Sequence, residues 1–479
     1  MSGPVVRIAR EEWRALARNR AGVIATALLV VLVLAATFVS VERRAVVDAD
    51  RARYQAGADR DFDRQPARHP HRMVHYGQFV FRPLPPLAFF DAGVDGFTGT
   101  TVFLEGHRQN SANFAEARQS SLLVRFGQLT PAFVLQTLAP LLLIFLAFTA
   151  VARERERGTL RLLLAQGLDG RRLLAGKLLG HAAIALAIGT PAFVALLWLT
   201  ATTPEASWSA ALLLILGYSA WLLIWAGLAV VVSALVARSR DALAVLMGVW
   251  IVGVILLPRA LPGVAASRAI LPTRIETEVA LHRELARIGD SHDPDDPYFA
   301  GFKARTLARY GVSRVEDMPV QYAGLVAMEG ERLSTDLYAR AAADAAARQE
   351  RQNGFVHAFA AASPLIAIRQ LSMALSGSDP AAHEDFLGQT EAFRYRFVQT
   401  LNRMQAEKIP AVNPGIDPRV SADHWLTVPR FAFRARDPLS ASLSTSGPIA
   451  GNLIILSGWL VALAGIAAIA GRRLGRVTR

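Results

Sequence analysis

The stretch Arg153-Glu-Arg-Glu-Arg-Gly-Thr-Leu-Arg-Leu-Leu-Leu-Ala-Gln-Gly-Leu-Asp-Gly-Arg-Arg-Leu-Leu-Ala-Gly-Lys177 decides how the rest of the chain is read. It is dense in charge, mostly Arg, and lies between two apolar runs, each long enough to cross a bilayer. Excess Arg marks the cytoplasmic side of such spans, so this loop is expected there. Leu160, Leu163 and Leu164 recur at helical spacing, which predicts a short amphipathic helix along the membrane surface. Gly158 and Gly170 bracket it, where the chain can turn sharply. One apparent motif is discarded. Between Gly170 and Gly176-Lys177 there is one residue too many for a phosphate-binding loop, and Leu178 stands where the magnesium-ligating Ser or Thr belongs.

Working outward, apolar runs at 22–41, 130–151, 178–199, 210–236, 242–257 and 449–470 read as six transmembrane helices. Residues 1–21 carry Arg7, Arg10, Arg14, Arg18 and Arg20 among Val5, Ile8, Trp13 and Leu16, the pattern of an interfacial elbow helix. With 152–177, Arg238, Arg240 and the basic tail 471–479, this puts both termini in the cytoplasm. Two polar segments, 42–129 and 258–448, then fall outside. The first opens with an expected surface helix over Asp48 to Arg64, and the second contains helical patterns at 274–288, 316–351 and 384–407. Pro140 and Pro191 are expected to bend their spans, Pro258-Arg259 to end the fifth, and Asn413 to Pro429 to return the chain toward the membrane. The fold class is an all-α polytopic membrane protein with a mainly helical extracytoplasmic domain.

Composition narrows the chemistry. The chain is 52% apolar with net charge +13, almost wholly from Arg, since Lys occurs only at 177, 303 and 408. The basic residues flank spans rather than forming a patch interleaved with aromatics, which argues for lipid headgroups and against nucleic acid. With no Cys, disulfides, thiolate metal sites and Cys nucleophiles are excluded. No small-residue cleavage site closes the first apolar run, so it is expected to stay as an anchor. The spans so bounded hold no Asp, Glu, Lys or Arg, only polar residues such as His181, Thr190, Tyr218, Ser219 and Asn452. An ion-coupled transporter needs ionisable groups near the midplane. Energy is therefore expected from outside the chain.

Arg155-Glu-Arg-Gly-Thr-Leu, the Leu run, the Gly-containing turn, Arg172 and Gly176-Lys177-Leu-Leu-Gly resemble the loop after the second span in type-2 ABC exporter permeases, the NosY-like group. His71-Arg72 to Tyr76-Gly77, Arg82-Pro-Leu-Pro-Pro-Leu, Asp91-Ala-Gly and Gly99 to Asn110 resemble a subgroup with a large extracytoplasmic domain of unassigned function. Ser363-Pro-Leu, Leu371 to Asp379 and Arg394-Tyr-Arg-Phe extend that resemblance. It implies the permease subunit of an ATP-binding cassette exporter in a bacterial cytoplasmic membrane, paired with a second permease, identical or related, and surrounded by lipid. It also implies a separate ATPase subunit that binds ATP and magnesium, with no cofactor and no catalysis in this chain. The coupling residues it implies are Arg153, Glu154, Arg155, Glu156, Gly158, Thr159, Leu160, Leu163 and Leu164.

Two other readings stay open. His69, His71 and His75, with His107 and Glu105, could serve a membrane-anchored metal-binding protein or enzyme. Pro70 is expected to hold that stretch extended, with His69 and His71 on one side of a strand, and no metal is expected. Alternatively, ATP turnover drives conformational work on an outer partner without translocation.

Overall fold

The computed structural model describes residues 3–113, 127–290, 293, 295–412, 417–435 and 448–474. Parts of the returning loop at 413–429 and of the basic tail lie outside them. Among the described residues, six helices are long and apolar enough to cross a membrane: Arg20–Asp63, Pro131–Glu156, Gly170–Thr202, Trp208–Leu235, Ser239–Arg268 and Ile449–Leu474. They are the first to sixth spans below. The end carrying Arg153 to Lys177 is the basic end, and the opposite one the domain end.

Several boundaries differ from the sequence reading, those of the first and fifth spans among them. The first span does not stop at Val41 before a separate surface helix. It is one helix of 44 residues, about 66 Å long against a hydrocarbon core of roughly 30 Å. The residues from Val41 to Ala56 include no Gly or Pro, so nothing breaks the helix as it leaves the bilayer. Pro258 likewise fails to end the fifth span, which runs on to Arg268. A π-helical turn at Ile251–Leu256 precedes it, and that wider register makes room for the proline ring.

The second span uses the same device. A π-helical turn at Val134–Leu138 precedes Pro140, and the wider turn frees carbonyls from the helical ladder. Trp221 Nε1 donates to Leu135 O at 2.9 Å and Trp250 Nε1 to Thr137 O at 3.3 Å. The turn also presents Gln136, which donates to Tyr218 Oη at 2.6 Å, and Tyr218 pairs with Ser372 Oγ at 2.8 Å.

Ser372 lies on helix Pro364–Ser376, which sequence reasoning placed in the outer domain. The structure sets it inside the bundle, against the fourth and sixth spans. Leu365, Ile366, Ile368, Leu371 and Leu375 are buried in the same core as Trp221, Leu214 and Leu456. At 13 residues it is about 20 Å long, too short to cross, so it enters and leaves on one side. Ser363 Oγ donates to Gly253 O at 2.7 Å and Trp459 Nε1 to Ala361 O at 2.9 Å, holding its entry.

Beyond the bundle, helix Tyr322–His357 packs on Pro380–Lys408, which packs on the short helix Pro70–Tyr76. Strands Gln78–Phe81 and Thr101–Leu104 pair antiparallel, Gln78 opposite Leu104. Phe62 from the projecting first helix joins Met73, Val74, Phe393, Phe397 and Trp425 in a second core. Arg394, almost fully buried, binds Glu331 at 2.5 Å, Glu391 at 2.7 Å and Thr335 Oγ1 at 2.9 Å, and reaches Glu105 O at 3.2 Å. These charge-assisted bonds outweigh its loss of hydration and raise its pKa.

Domain and bundle are stitched together by the other quoted motifs. Arg82 binds Asp95 at 2.6 Å and Gly377 O at 2.9 Å, and Ser378 Oγ donates to Asp91 O at 2.7 Å. Gly93 is required here. Its φ is +47°, and a Cβ would stand 2.1 Å from Ser378 O. Asp91 itself is buried, so loss of hydration raises its pKa against the bonds from Ser372 and Gly93. A sequence count restricted to the spans misses this carboxyl, because a loop delivers it.

Candidate functional site

The candidate site is the basic end. Arg153 to Glu156 close the second span, and each side chain after Arg153 reaches a different helix. Ser233 Oγ, fully buried on the fourth span, accepts from Val151 N at 3.0 Å and Ala152 N at 3.1 Å, fixing where the loop begins. Arg155 donates to Ala234 O at 2.6 Å and to Val236 O. A guanidinium thus covers orphan carbonyls at the C-terminus of the fourth span, where positive charge is favoured. Glu156 accepts from Ser239 N and Ser239 Oγ, both at 2.8 Å, at the N-terminus of the fifth span, where negative charge is favoured. Two adjacent residues of opposite charge therefore clasp the two ends of one tight loop.

Glu154 turns the other way. Lys177 Nζ lies 2.7 Å from Glu154 Oε1 and 2.7 Å from Glu12 Oε1, with only 3% of the lysine exposed. The sequence reading left Lys177 at the end of the loop, whereas it lies inside the third helix, with Glu12 supplied by the elbow helix Pro4–Arg18. His181 Nδ1 stands 2.9 Å from Lys177 O, and its Nε2 3.8 Å from Glu12. The approach of the elbow helix depends on Gly176 and Gly180. A Cβ at Gly176 would meet Ile8 at 2.6 Å, and one at Gly180 would meet Glu12 Cβ at 2.8 Å. Small residues four apart let helix backbones pack this closely.

After Glu156, Gly158 turns the chain at φ +75°, and helix Thr159–Ala165 follows. A Cβ at Gly158 would meet nothing within 4 Å, so only the backbone conformation demands glycine there. Leu160 and Leu164 are buried in the chain's own bundle core, and Leu163 is half-buried. Leu162 is instead 63% exposed, alongside Arg157, Thr159, Arg161, Ala165 and Gln166, and Arg153 is exposed too. Spacing identified the apolar face correctly, but this protein covers that face itself.

Sequence reasoning missed Glu12, Ser233 and Ser239, which are far from the loop in sequence and have no local signature. Gly176-x-x-x-Gly180 was readable as a helix-packing motif. At the domain end, Pro70–Tyr76 is a helix and not an extended strand. Pro70 takes the first helical position, and His69 caps it by accepting from His71 N at 3.2 Å. His71 and His75 therefore share a face and meet His107, whereas His69 is occupied as the cap. Glu105 accepts from Asn110 Nδ2 at 3.1 Å.

A polytopic bundle whose basic loop braces four of its helices is the architecture of a multi-pass membrane protein. Residues 109–266 match the family model described as ABC-2 family transporter protein, and residues 274–434 match Domain of unknown function (DUF3526). No curated protein matches the chain. The chain thus carries an ABC-2 transporter segment over its second to fifth spans and a DUF3526 domain between its fifth and sixth, the make-up of an ABC-2 permease with an extra domain.

Proposed function

We propose that this permease couples ATP hydrolysis by a separate ATPase subunit, which binds the ATP and magnesium, to export across a bacterial cytoplasmic membrane. The observation that carries this reading is the clasp. Glu154, Arg155 and Glu156 tie one short loop to the elbow helix and to the third, fourth and fifth spans. The loop also presents exposed Arg161 and Leu162 beyond them. A push on that helix therefore has rigid connections into the bundle. Reconstitution with the ATPase subunit tests the reading: ATP turnover should depend on the permease, and vesicles should show ATP-dependent movement of substrate.

The permease is proposed to act as a pair, identical or related. Only 17% of the fifth span's apolar window and 22% of the sixth's is buried within the chain, leaving apolar faces for a second permease and for lipid. Arg residues at the basic end support a cytoplasmic placement. In this Cys-free chain, Asp344→Cys should react with an impermeant thiol reagent from outside intact cells, and Arg240→Cys should not. Both side chains are more than 70% exposed, so access is set by side of the membrane. External labelling at position 240 would reverse the orientation.

One feature favours a second reading, in which ATP turnover works on an outer partner. Helix Pro364–Ser376 joins the domain directly to the fourth and sixth spans, so span movement reaches the domain. ATP-dependent partner binding without vesicle transport would select it.

A further inference from the structure

We propose that His71, His75 and His107 form a site for a divalent transition-metal cation of the zinc class at the domain end of the protein. Folding brings the three together by separate local devices. His69 and Pro70 start the helix, and the spacing of four then stacks His71 and His75 on one face. Their rings meet edge to face with centroids 4.8 Å apart and Nε2 atoms 3.2 Å apart. A tetrahedral zinc with Zn–N of about 2.0–2.1 Å sets its nitrogens roughly 3.3–3.4 Å apart. The pair already stands near that edge length.

The third ligand comes from the turn after strand Thr101–Leu104. Gly106 N donates to Val74 O at 3.2 Å, and a Cβ on Gly106 would stand 2.3 Å from Val74 Cγ1. Only glycine lets this turn press onto the helix that carries the other two histidines. His107 adopts φ +65°, among the described residues the one non-glycine on that side of the map. Its backbone N–H donates to buried Glu331 at 3.1 Å, and Arg394 holds that carboxylate. His107 Nδ1 is 3.8 Å from Glu331 Oε2, so a carboxylate sits behind the imidazole, as behind many metal-bound histidines. The His107 ring centroid is 5.9 Å from that of His71 and 5.5 Å from that of His75, and one ligand atom from each residue lies within 4.8 Å of the others.

Three imidazoles without a carboxylate suit zinc, copper or nickel rather than calcium or magnesium. His75 is exposed and the other two half-exposed, so a fourth position faces water. A simple hydrogen bond between His71 and His75 is the rival account, but it gives no reason for His107 to be held in the left-handed region beside them.

The full chain, purified in detergent without a polyhistidine tag and stripped by chelator, should take up one equivalent of Zn(II) in competition with a chromophoric chelator. His107→Ala, and separately His71→Ala with His75→Ala, should weaken binding by about tenfold or more, and His282→Ala should not. Gly106→Ala should weaken it with all three ligands present. Where an Ala variant melts early, His107→Gln or His75→Gln replaces it. Absence of saturable binding, or stoichiometric binding that survives loss of His107, overturns the site. Neither readout involves the ATPase subunit, so the result is independent of the coupling proposal.

Discussion

Leu162→Asp is expected to weaken association with the ATPase subunit by tenfold or more and to abolish permease-dependent stimulation of ATP turnover, while the permease itself still folds. Leu162 is the large apolar side chain that helix Thr159–Ala165 leaves in the open, at 63% exposure. Covering a leucine in a partner's groove contributes roughly 1.5–3 kcal/mol, and each 1.4 kcal/mol is about tenfold in affinity. A charge in its place forfeits that contribution and adds a desolvation cost. Leu160→Asp gives the contrasting pattern. That side chain lies in the bundle core, so a carboxylate there should cost the protein several kcal/mol of its own stability and lower its abundance. Pull-down and melting in detergent separate the two. Wild-type association with wild-type stimulation in Leu162→Asp would remove the docking assignment.

The second large effect is expected at Lys177. Lys177→Met should cost about 3–5 kcal/mol, because it leaves Glu12 and Glu154 facing one another without their shared cation in a mostly buried site. Glu12→Gln with Glu154→Gln in the same chain should recover much of the loss, since a neutral set has no charge to strand. A surface pair would predict a change under roughly 1 kcal/mol. Thermal melting at fixed detergent and lipid distinguishes them, and a single variant that melts with wild type would show the triad to be dispensable.

The spans were legible because an apolar run of bilayer length is a one-dimensional pattern that burial cannot hide. Their ends were less so. Charge after Val41 marks where the helix meets water, not where it stops, and the absence of a breaker was the better signal. Pro258 looked like a terminus because the π-helical turn that accommodates it has no sequence signature. At the basic loop, spacing showed that Leu160 and Leu164 share a face but could not show which body covers it. The partners of Glu154 and Glu156 come from the third span, which shares its lysine with the elbow helix, and from the start of the fifth, so these contacts exist only after folding. The order His69-Pro70 is itself a readable helix start. A proline after a capping residue starts a helix as readily as it extends a chain.

The re-entrant helix Pro364–Ser376 limits how this protein can be taken apart. Its leucines and isoleucines fill space between spans, and Ser372 completes the polar chain through Tyr218 to Gln136. Excising 258–448 as though it were a detachable module would leave a hollow in the membrane bundle and uncap Tyr218. Silence from such a truncation would report a collapsed transporter, not the task of the missing part. Exchanges between related permeases should place their crossovers at the two ends of this helix, keeping Ser363 to Gly377 with the spans it was fitted to.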